Sequence, residues 1–296
     1  MVADLSRRAF VAMAMAGGML APGAGVAGPP SRFRLPAGEG RDTEIWHWST
    51  RGKRVGTVAF SHGALSAPWK YDRVILPWVA AGYDVLAPWH VDSRDHPLTR
   101  DYPGLATWKA RIEDMHALAR HIGIPHVTCG HSYGALTALV MGGAQGEVPD
   151  GFAGPLRDPL TRCVVALSPP PPIPGLITEA GYASLAVPAL IQTGDHDVMP
   201  GAADTPDAWH AHRIAYDAAA PGGSRYLLVL AGVDHYFGSA ICEPTRPAPP
   251  QLAQLGQAVA ISRLFLQAYW QPADASARRA LDARRADAGP VILERK

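Results

Sequence analysis

Short apolar segments alternate with amphipathic ones along most of this chain, and no other feature constrains its fold as strongly. Strands are predicted at residues 44–49, 55–61, 83–87, 126–130, 162–168, 189–193 and 225–230. Helices are predicted at residues 71–81, 107–122, 133–141, 208–218 and 250–269. Near-continuous apolar strands separated by helices are typical of a mostly parallel sheet with helices on both faces. The sequence therefore predicts one α/β domain over residues 28–271.

A serine lies between two glycines directly after one of these predicted strands. Residues 127–136 read VTCGHSYGAL, which places Ser132 between Gly130 and Gly134. The pattern G-x-S-x-G is typical of a sharp strand-to-helix turn that holds a serine at its apex. Side chains at the two glycine positions would collide with neighbouring backbone. Ser132 is therefore the candidate nucleophile.

A serine hydroxyl is a weak nucleophile near neutral pH and needs a base, usually a histidine oriented by a carboxylate. Two later predicted strands end in loops with such residues, GDHD at 194–197 and GVDH at 232–235. Carboxyl ends of parallel strands meet at one edge of a sheet, where open α/β sheets bind ligands. This placement predicts His235 as the base and either Asp195 or Asp197 as its partner.

The tetrahedral intermediate of such a reaction needs backbone N–H donors around its oxyanion. One donor is expected from Tyr133, the residue after the candidate nucleophile. The second is expected from the loop SHGAL at 61–65, which follows another predicted strand. Ala64 is the expected donor there, and Leu65 is the alternative.

Taken in order, these motifs resemble those of the α/β-hydrolase superfamily of serine esterases and lipases. The resemblance rests on HG at 62–63, GHSYG at 130–134, GDHD and GVDH, and it spans nearly the whole chain after residue 27. It implies the α/β-hydrolase fold, and its pattern G-x-x-D selects Asp197 over Asp195. It also implies that Ser132, Asp197 and His235 form a catalytic triad, with His131 packed at the turn and His62 ordering the oxyanion loop.

The same resemblance implies hydrolysis of a small-molecule or polymeric carboxylic ester through an acyl-enzyme, without a cofactor. The loop WHVDSRDHP at 89–97 is loosely similar to one in exported polyester-hydrolase and acetylhydrolase branches. The connection between residues 168 and 187 is too short for a large cap, so a short or absent lid is expected. Two alternatives stay open: an amidase or peptidase with the same triad, and a non-catalytic small-molecule-binding protein.

Metal binding has weaker support in the sequence. His90, Asp92, Asp95 and His96 cluster in one loop, but their spacing matches no zinc pattern. His210 and His212 lie two positions apart, and such side chains point away from each other on a helix. No metal is therefore expected.

The composition gives no sign of nucleic-acid binding or of a membrane span. Because 27 basic residues balance 26 acidic ones, no field would attract nucleic acid. No apolar window in the body is long enough to predict a membrane span. Residues 272–296 are charged and are expected to form a solvated helix or coil. Three cysteines leave at least one without an intramolecular partner, and Cys129 and Cys163 are expected in the core.

Residues 1–27 read as an export signal of the twin-arginine type. SRRAFV at 6–11 carries the arginine pair, a mildly apolar segment follows, and the small residues at 25–27 precede a possible cleavage point near Gly28. This order of features predicts a periplasmic or secreted protein.

Overall fold

The computed structural model describes residues 28–38, 40–270, 274–286 and 291–296, so the expected export signal at 1–27 lies outside the described residues. The strands are β1 Ser31–Pro36, β2 Asp42–Trp48, β3 Gly56–Ser61, β4 Tyr83–Pro88, β5 His126–His131, β6 Thr161–Leu167, β7 Ala189–His196, β8 Arg225–Asp234 and β9 Val291–Arg295. The α-helices are α1 Asp72–Ala80, α2 Ala106–Ile122, α3 Tyr133–Met141, α4 Glu179–Ala183, α5 Ile214–Ala218, α6 Leu252–Trp270 and α7 Ala275–Ala283.

The strands form one sheet in the order β1-β2-β4-β3-β5-β6-β7-β8-β9. Neighbouring strands from β4 across to β8 run parallel, whereas β1, β2 and β9 pair antiparallel at the two sides. The parallel strands β3, β5 and β6 are almost entirely buried, as expected where helices cover both faces. The predicted mostly parallel sheet is confirmed.

Helices pack against both faces of this sheet. On one face, α1, α6 and α7 bury apolar side chains such as Trp78, Phe265 and Leu281 against the strands. On the other face, α2, α3, α4 and α5 supply residues such as Ile112 and Leu139. Cys129, Cys163 and Cys242 are free thiols in the buried interior.

The described parts of the segment 272–296, residues 274–286 and 291–296, differ from the predicted solvated tail. Helix α7 buries Ala277 and Leu281, and β9 pairs with β8 along its whole length. Only Leu293 of β9 is buried, and the strand ends in the charged residues Glu294 and Arg295, so its short apolar stretch does not stand out in the sequence. The pairing partner lies far away in the chain, and local composition does not reveal it.

The connection between β6 and β7 contains α4, a helix of only five residues. The Thr178 side chain caps this helix by accepting a hydrogen bond from the Gly181 N–H. This small connection agrees with the expectation of a short or absent lid. No helix among the described ranges is both long and apolar enough to cross a membrane.

Candidate active site

The turn between β5 and α3 holds Ser132 at φ 54° and ψ −121°, a left-handed conformation that non-glycine residues rarely adopt. A Cβ at Gly130 would overlap the Gly134 carbonyl, and a Cβ at Gly134 would overlap the Ser61 carbonyl at the end of β3. Both glycines are thus needed for the backbone to pass at this distance. The turn places the Ser132 hydroxyl at the carboxyl edge of the sheet.

Three side chains from three strand ends meet at this edge. Ser132 Oγ lies 2.9 Å from His235 Nε2, and His235 Nδ1 lies 2.7 Å from Asp197 Oδ1. A carboxylate can only accept, so the His235 proton resides on Nδ1 and the Nε2 lone pair is left to accept from the Ser132 hydroxyl. The arrangement is a hydrogen-bonded relay from hydroxyl to imidazole to carboxylate.

The structure separates the two carboxylates that the sequence left as alternatives. Asp197 is fully buried, and its Oδ2 accepts from the Thr193 hydroxyl at 2.9 Å. Burial raises the pKa of Asp197, but contacts with His235 and His212 outweigh burial and hold that pKa well below its ordinary value. Asp195 instead accepts from the Gly232 N–H and fastens the β8 end to the β7 end.

His212 was missed as a site residue by sequence reasoning. It lies in the 3-10 helix Ala208–Arg213, is fully buried, and places Nε2 3.0 Å from Asp197 Oδ1. The neighbouring His210 is exposed, so the two side chains diverge as expected. No motif marks His212, because it lies in the connection between β7 and β8, away from both strand ends, and meets Asp197 only in the folded chain.

The expected oxyanion loop is tied to the serine turn by a buried hydrogen-bond chain. The Gly63 N–H donates to the Tyr71 hydroxyl, which lies 2.9 Å from His131 Nδ1, and His131 Nε2 lies 2.9 Å from the His235 carbonyl oxygen. Since that carbonyl only accepts, His131 carries its proton on Nε2 and accepts from Tyr71 on Nδ1. Burial, with His235 beside it, lowers the pKa of His131 to about 3, so this ring stays neutral.

Of the two expected oxyanion donors, one lies at the start of a helix and the other lies in a turn. Tyr133 is the first residue of α3, where a backbone N–H has no partner within its own helix. Ala64 is exposed in the turn after β3, and no described group accepts from its N–H. Leu65 has φ 61° and forms a bridge with Ser93, which fixes the loop next to Ala64.

A buried charged cluster supports this loop from behind. The Arg111 guanidinium donates to the His62 carbonyl at 2.8 Å, to Ser61 Oγ at 3.0 Å and to Asp92 at 2.8 Å. It also lies 4.4 Å from the ring centre of Tyr133, within cation–π range. His62 Nδ1 contacts the Gly63 carbonyl at 2.8 Å, the position from which it would order the loop. Arg111 is a second residue that no sequence motif marked.

The residues of the 90–96 loop each have a separate partner rather than a common centre. His90 contacts Asp114 at 2.8 Å, Asp92 pairs with Arg111, Asp95 pairs with Lys70 at 3.0 Å, and His96 packs on Trp89. Burial raises the pKa of Asp114 to about 6 despite its contact with Arg41.

Another set of potential metal donors is found at the relay itself. Ligand atoms of Asp197, His212 and His235 lie within 4.8 Å of one another. Two ligands at zinc distances and a tetrahedral angle are about 3.4 Å apart, whereas the nitrogen–oxygen separations here are 2.7 and 3.0 Å. These are direct contacts between donor and acceptor, and they do not fit an ion placed between the groups.

Comparison with solved structures identifies the fold. The chain is similar to a dienelactone hydrolase from Anabaena variabilis (15% identity, 82% of this chain and 99% of the other, TM-score 0.57). It is also similar to an esterase domain from Rhodothermus marinus (12% identity, 82% and 99% covered, TM-score 0.53). A puromycin-hydrolysing peptidase of Mycobacterium tuberculosis matches at 14% identity and TM-score 0.53 over 81% of this chain and 40% of its own.

These similarities establish the α/β-hydrolase fold, as the sequence motifs implied. No protein-family model matches the sequence, and no curated protein matches it either. The fold hosts several kinds of chemistry, so the activity has to be argued from the residues at the site.

Proposed function

We propose that this protein is a serine hydrolase that cleaves carboxylic esters through an acyl-enzyme. The observation that carries the proposal is the relay of Ser132, His235 and Asp197, with contacts of 2.9 and 2.7 Å. A serine held at a strained turn, with a base already at hydrogen-bond distance, is the arrangement that nucleophilic catalysis needs.

In the proposed acylation step, His235 Nε2 takes the Ser132 proton while Oγ attacks the ester carbonyl carbon. Asp197 stabilises the resulting imidazolium, and the N–H groups of Ala64 and Tyr133 hold the oxyanion. The intermediate then releases the alcohol, which receives its proton from His235. Water, deprotonated by the same imidazole, attacks the acyl-serine and restores the free hydroxyl.

Ester cleavage is favoured over amide cleavage by the structural neighbours. The dienelactone hydrolase and the esterase domain are covered over 99% of their lengths, whereas the peptidase is covered over only 40% of its length. The small α4 connection also leaves the serine edge without a large cap, an arrangement that suits open access for a small or polymeric ester.

The test is a panel of nitrophenyl esters of increasing acyl length, with matched nitroanilides. We expect turnover of esters and little turnover of anilides. Ser132→Ala should lower ester turnover by about 10⁶-fold, while the exposed Ser49→Ala control should match the wild type. Faster anilide cleavage would make the protein an amidase, and no turnover of either series would favour a binding protein.

The proposed mechanism predicts activity that does not depend on a metal. No step uses a metal-bound water, so EDTA should leave ester turnover unchanged. Loss of activity in EDTA, restored by zinc, would contradict the serine mechanism.

We also propose that residues 1–27 direct export through the twin-arginine route to the periplasm or the medium. The support is the order of features in the sequence: arginine pair, apolar segment, then small residues. Replacing Arg7 and Arg8 together by lysine should keep the protein in the cytoplasm on cell fractionation. Unchanged export of this double variant would exclude the twin-arginine route.

A further inference from the structure

The carboxylate of the relay is shared by two imidazoles. Asp197 Oδ1 lies 2.7 Å from His235 Nδ1 and 3.0 Å from His212 Nε2, and the two rings are 5.2 Å apart. The His235 contact is an aligned hydrogen bond, whereas the His212 contact is close but poorly aligned. A relay of Ser132, His235 and Asp197 requires only the His235 imidazole, so the place of His212 needs an explanation.

The surroundings of His212 fix where its protons lie. Its Nδ1 is 2.9 Å from the Pro169 carbonyl oxygen, and its Nε2 faces the Asp197 carboxylate. Neither oxygen carries a proton, so both ring nitrogens face acceptor oxygens, and only the imidazolium form presents a proton to each of them. A neutral ring would point one lone pair at an oxygen, at a fully buried position.

The electrostatics agree with this geometry. Burial lowers the pKa of His212, but the Asp197 contact and the Pro169 carbonyl outweigh it, so that pKa lies above its ordinary value. The other ionisable groups facing the pair are neutral near pH 7: burial lowers the pKa of His131 to about 3 and raises the pKa of Tyr236. Asp197 is therefore the one described anion in contact with both imidazoles.

We propose that His212 is a cationic positioning residue, which clamps Asp197 toward His235 and makes this carboxylate the shared counter-ion of two imidazoles. The effect of His212 on catalysis rests on the proposed function, whereas the positive charge of His212 does not. With Asp197 already paired to a cation, its carboxylate stabilises a proton on His235 less strongly. The positive charge of His212 also repels that proton. The positive charge of His212 therefore opposes a second positive charge on His235, which has to be neutral to act as the base.

The first measurement needs no substrate. Long-range ¹H–¹⁵N spectra of the wild-type imidazoles, assigned by the signal that disappears in His212→Gln, report the protonation of each ring nitrogen. At pH 7 we expect His212 to be protonated on both nitrogens. A neutral His212 ring at pH 7 would overturn the proposal, whatever the protein hydrolyses.

The second measurement compares two variants that each keep one of the two donors. His212→Gln places an amide N–H near Asp197 without the charge, whereas His212→Asn places its amide near Pro169 and leaves Asp197 unclamped. In ester turnover against pH, we expect the midpoint of the rising limb in His212→Gln to move up by about one pH unit. Its plateau should stay within about fivefold of the wild type, and His212→Asn should lose about tenfold or more at the plateau.

The exposed neighbour His210→Gln is the matched control and should leave both midpoint and plateau unchanged. If both His212 variants lose activity equally at every pH, with the midpoint unmoved, the role is only structural and the proposal fails. An imidazolium signal in a protein that hydrolyses no ester would refute the proposed function and leave the clamp standing.

Discussion

At the residue scale, two aspartates on one loop have different surroundings although the sequence places both after the same strand. Asp197 is buried between two imidazoles and the Thr193 hydroxyl, whereas Asp195 is half-buried and bonds a backbone N–H. Replacing Asp197 by asparagine therefore removes a charge next to His235, whereas replacing Asp195 by asparagine removes a loop contact.

We predict that Asp197→Asn lowers ester turnover by about 10⁴-fold, because an amide favours the wrong imidazole tautomer. Asp195→Asn is the matched control and should lose far less, since its contact is to Gly232 rather than to His235. Steady-state kinetics of both variants on one nitrophenyl ester decide the question. A larger loss for Asp195→Asn would move the acid of the relay to Asp195.

The residues that sequence analysis found carry local sequence motifs, whereas those it missed do not. Ser132, Asp197 and His235 each follow a predicted strand and carry a local glycine pattern, so topology alone brings them to one edge. His212 and Arg111 act through partners that are distant in the chain and have no local pattern. Their roles follow from burial and contact, which the sequence does not record.

At the element scale, the serine turn and the end of β3 are packed so closely that glycine is required. Gly134 lies against the Ser61 and His62 carbonyls, the same backbone that Arg111 holds from behind. The turn and the loop at 61–65 therefore form one unit, and a side chain inserted between them would displace both.

We predict that Gly134→Ala lowers the free energy of unfolding by about 3 kcal/mol, because the methyl group must displace backbone, and that it abolishes ester turnover. Gly256→Ala in α6 is the matched control: its added Cβ meets nothing within 4 Å, and alanine favours helix, so stability should be unchanged or slightly higher. Urea unfolding and ester turnover of both variants provide the test. Near-wild-type turnover in Gly134→Ala would show that the turn is less tightly packed than described.

Sequence patterns predicted the elements to different extents. The buried parallel strands and the long helices α2 and α6 are periodic and were predicted close to their observed bounds. Strands β1 and β9 were not predicted, because each buries few side chains, carries charged ones and pairs at a side of the sheet. The helix predicted at 208–218 is a 3-10 helix followed by α5, and the buried His212 belongs to the 3-10 part.

At the scale of the whole molecule, buried histidines couple stability to pH. Burial lowers the pKa of His62 and His90 well below the ordinary value and that of His131 to about 3. Below about pH 6.5 the unfolded chain binds protons at these positions and the folded chain does not, so acid favours unfolding. Asp114, with its pKa raised to about 6, has the opposite effect between about pH 4 and 6.

Burial also lowers the pKa of the half-buried His47, His96 and His116, so the histidines outweigh Asp114. We therefore predict that the free energy of unfolding falls as the pH is lowered from 7.5 to 5. Urea unfolding at pH 7.5, 6 and 5 measures this fall, and His131→Asn should make it shallower. Stability that stays constant or rises down to pH 5 would show that these histidines are not held neutral.

Covalent labelling shows whether Ser132 is an activated nucleophile. A fluorophosphonate reacts with a serine only where a base removes its proton and an oxyanion site receives the reagent. We expect one adduct per chain by intact mass, located on Ser132 by peptide mapping and absent from Ser132→Ala. No adduct on the folded wild-type protein, or an adduct that persists in Ser132→Ala, would show that Ser132 is not an activated nucleophile.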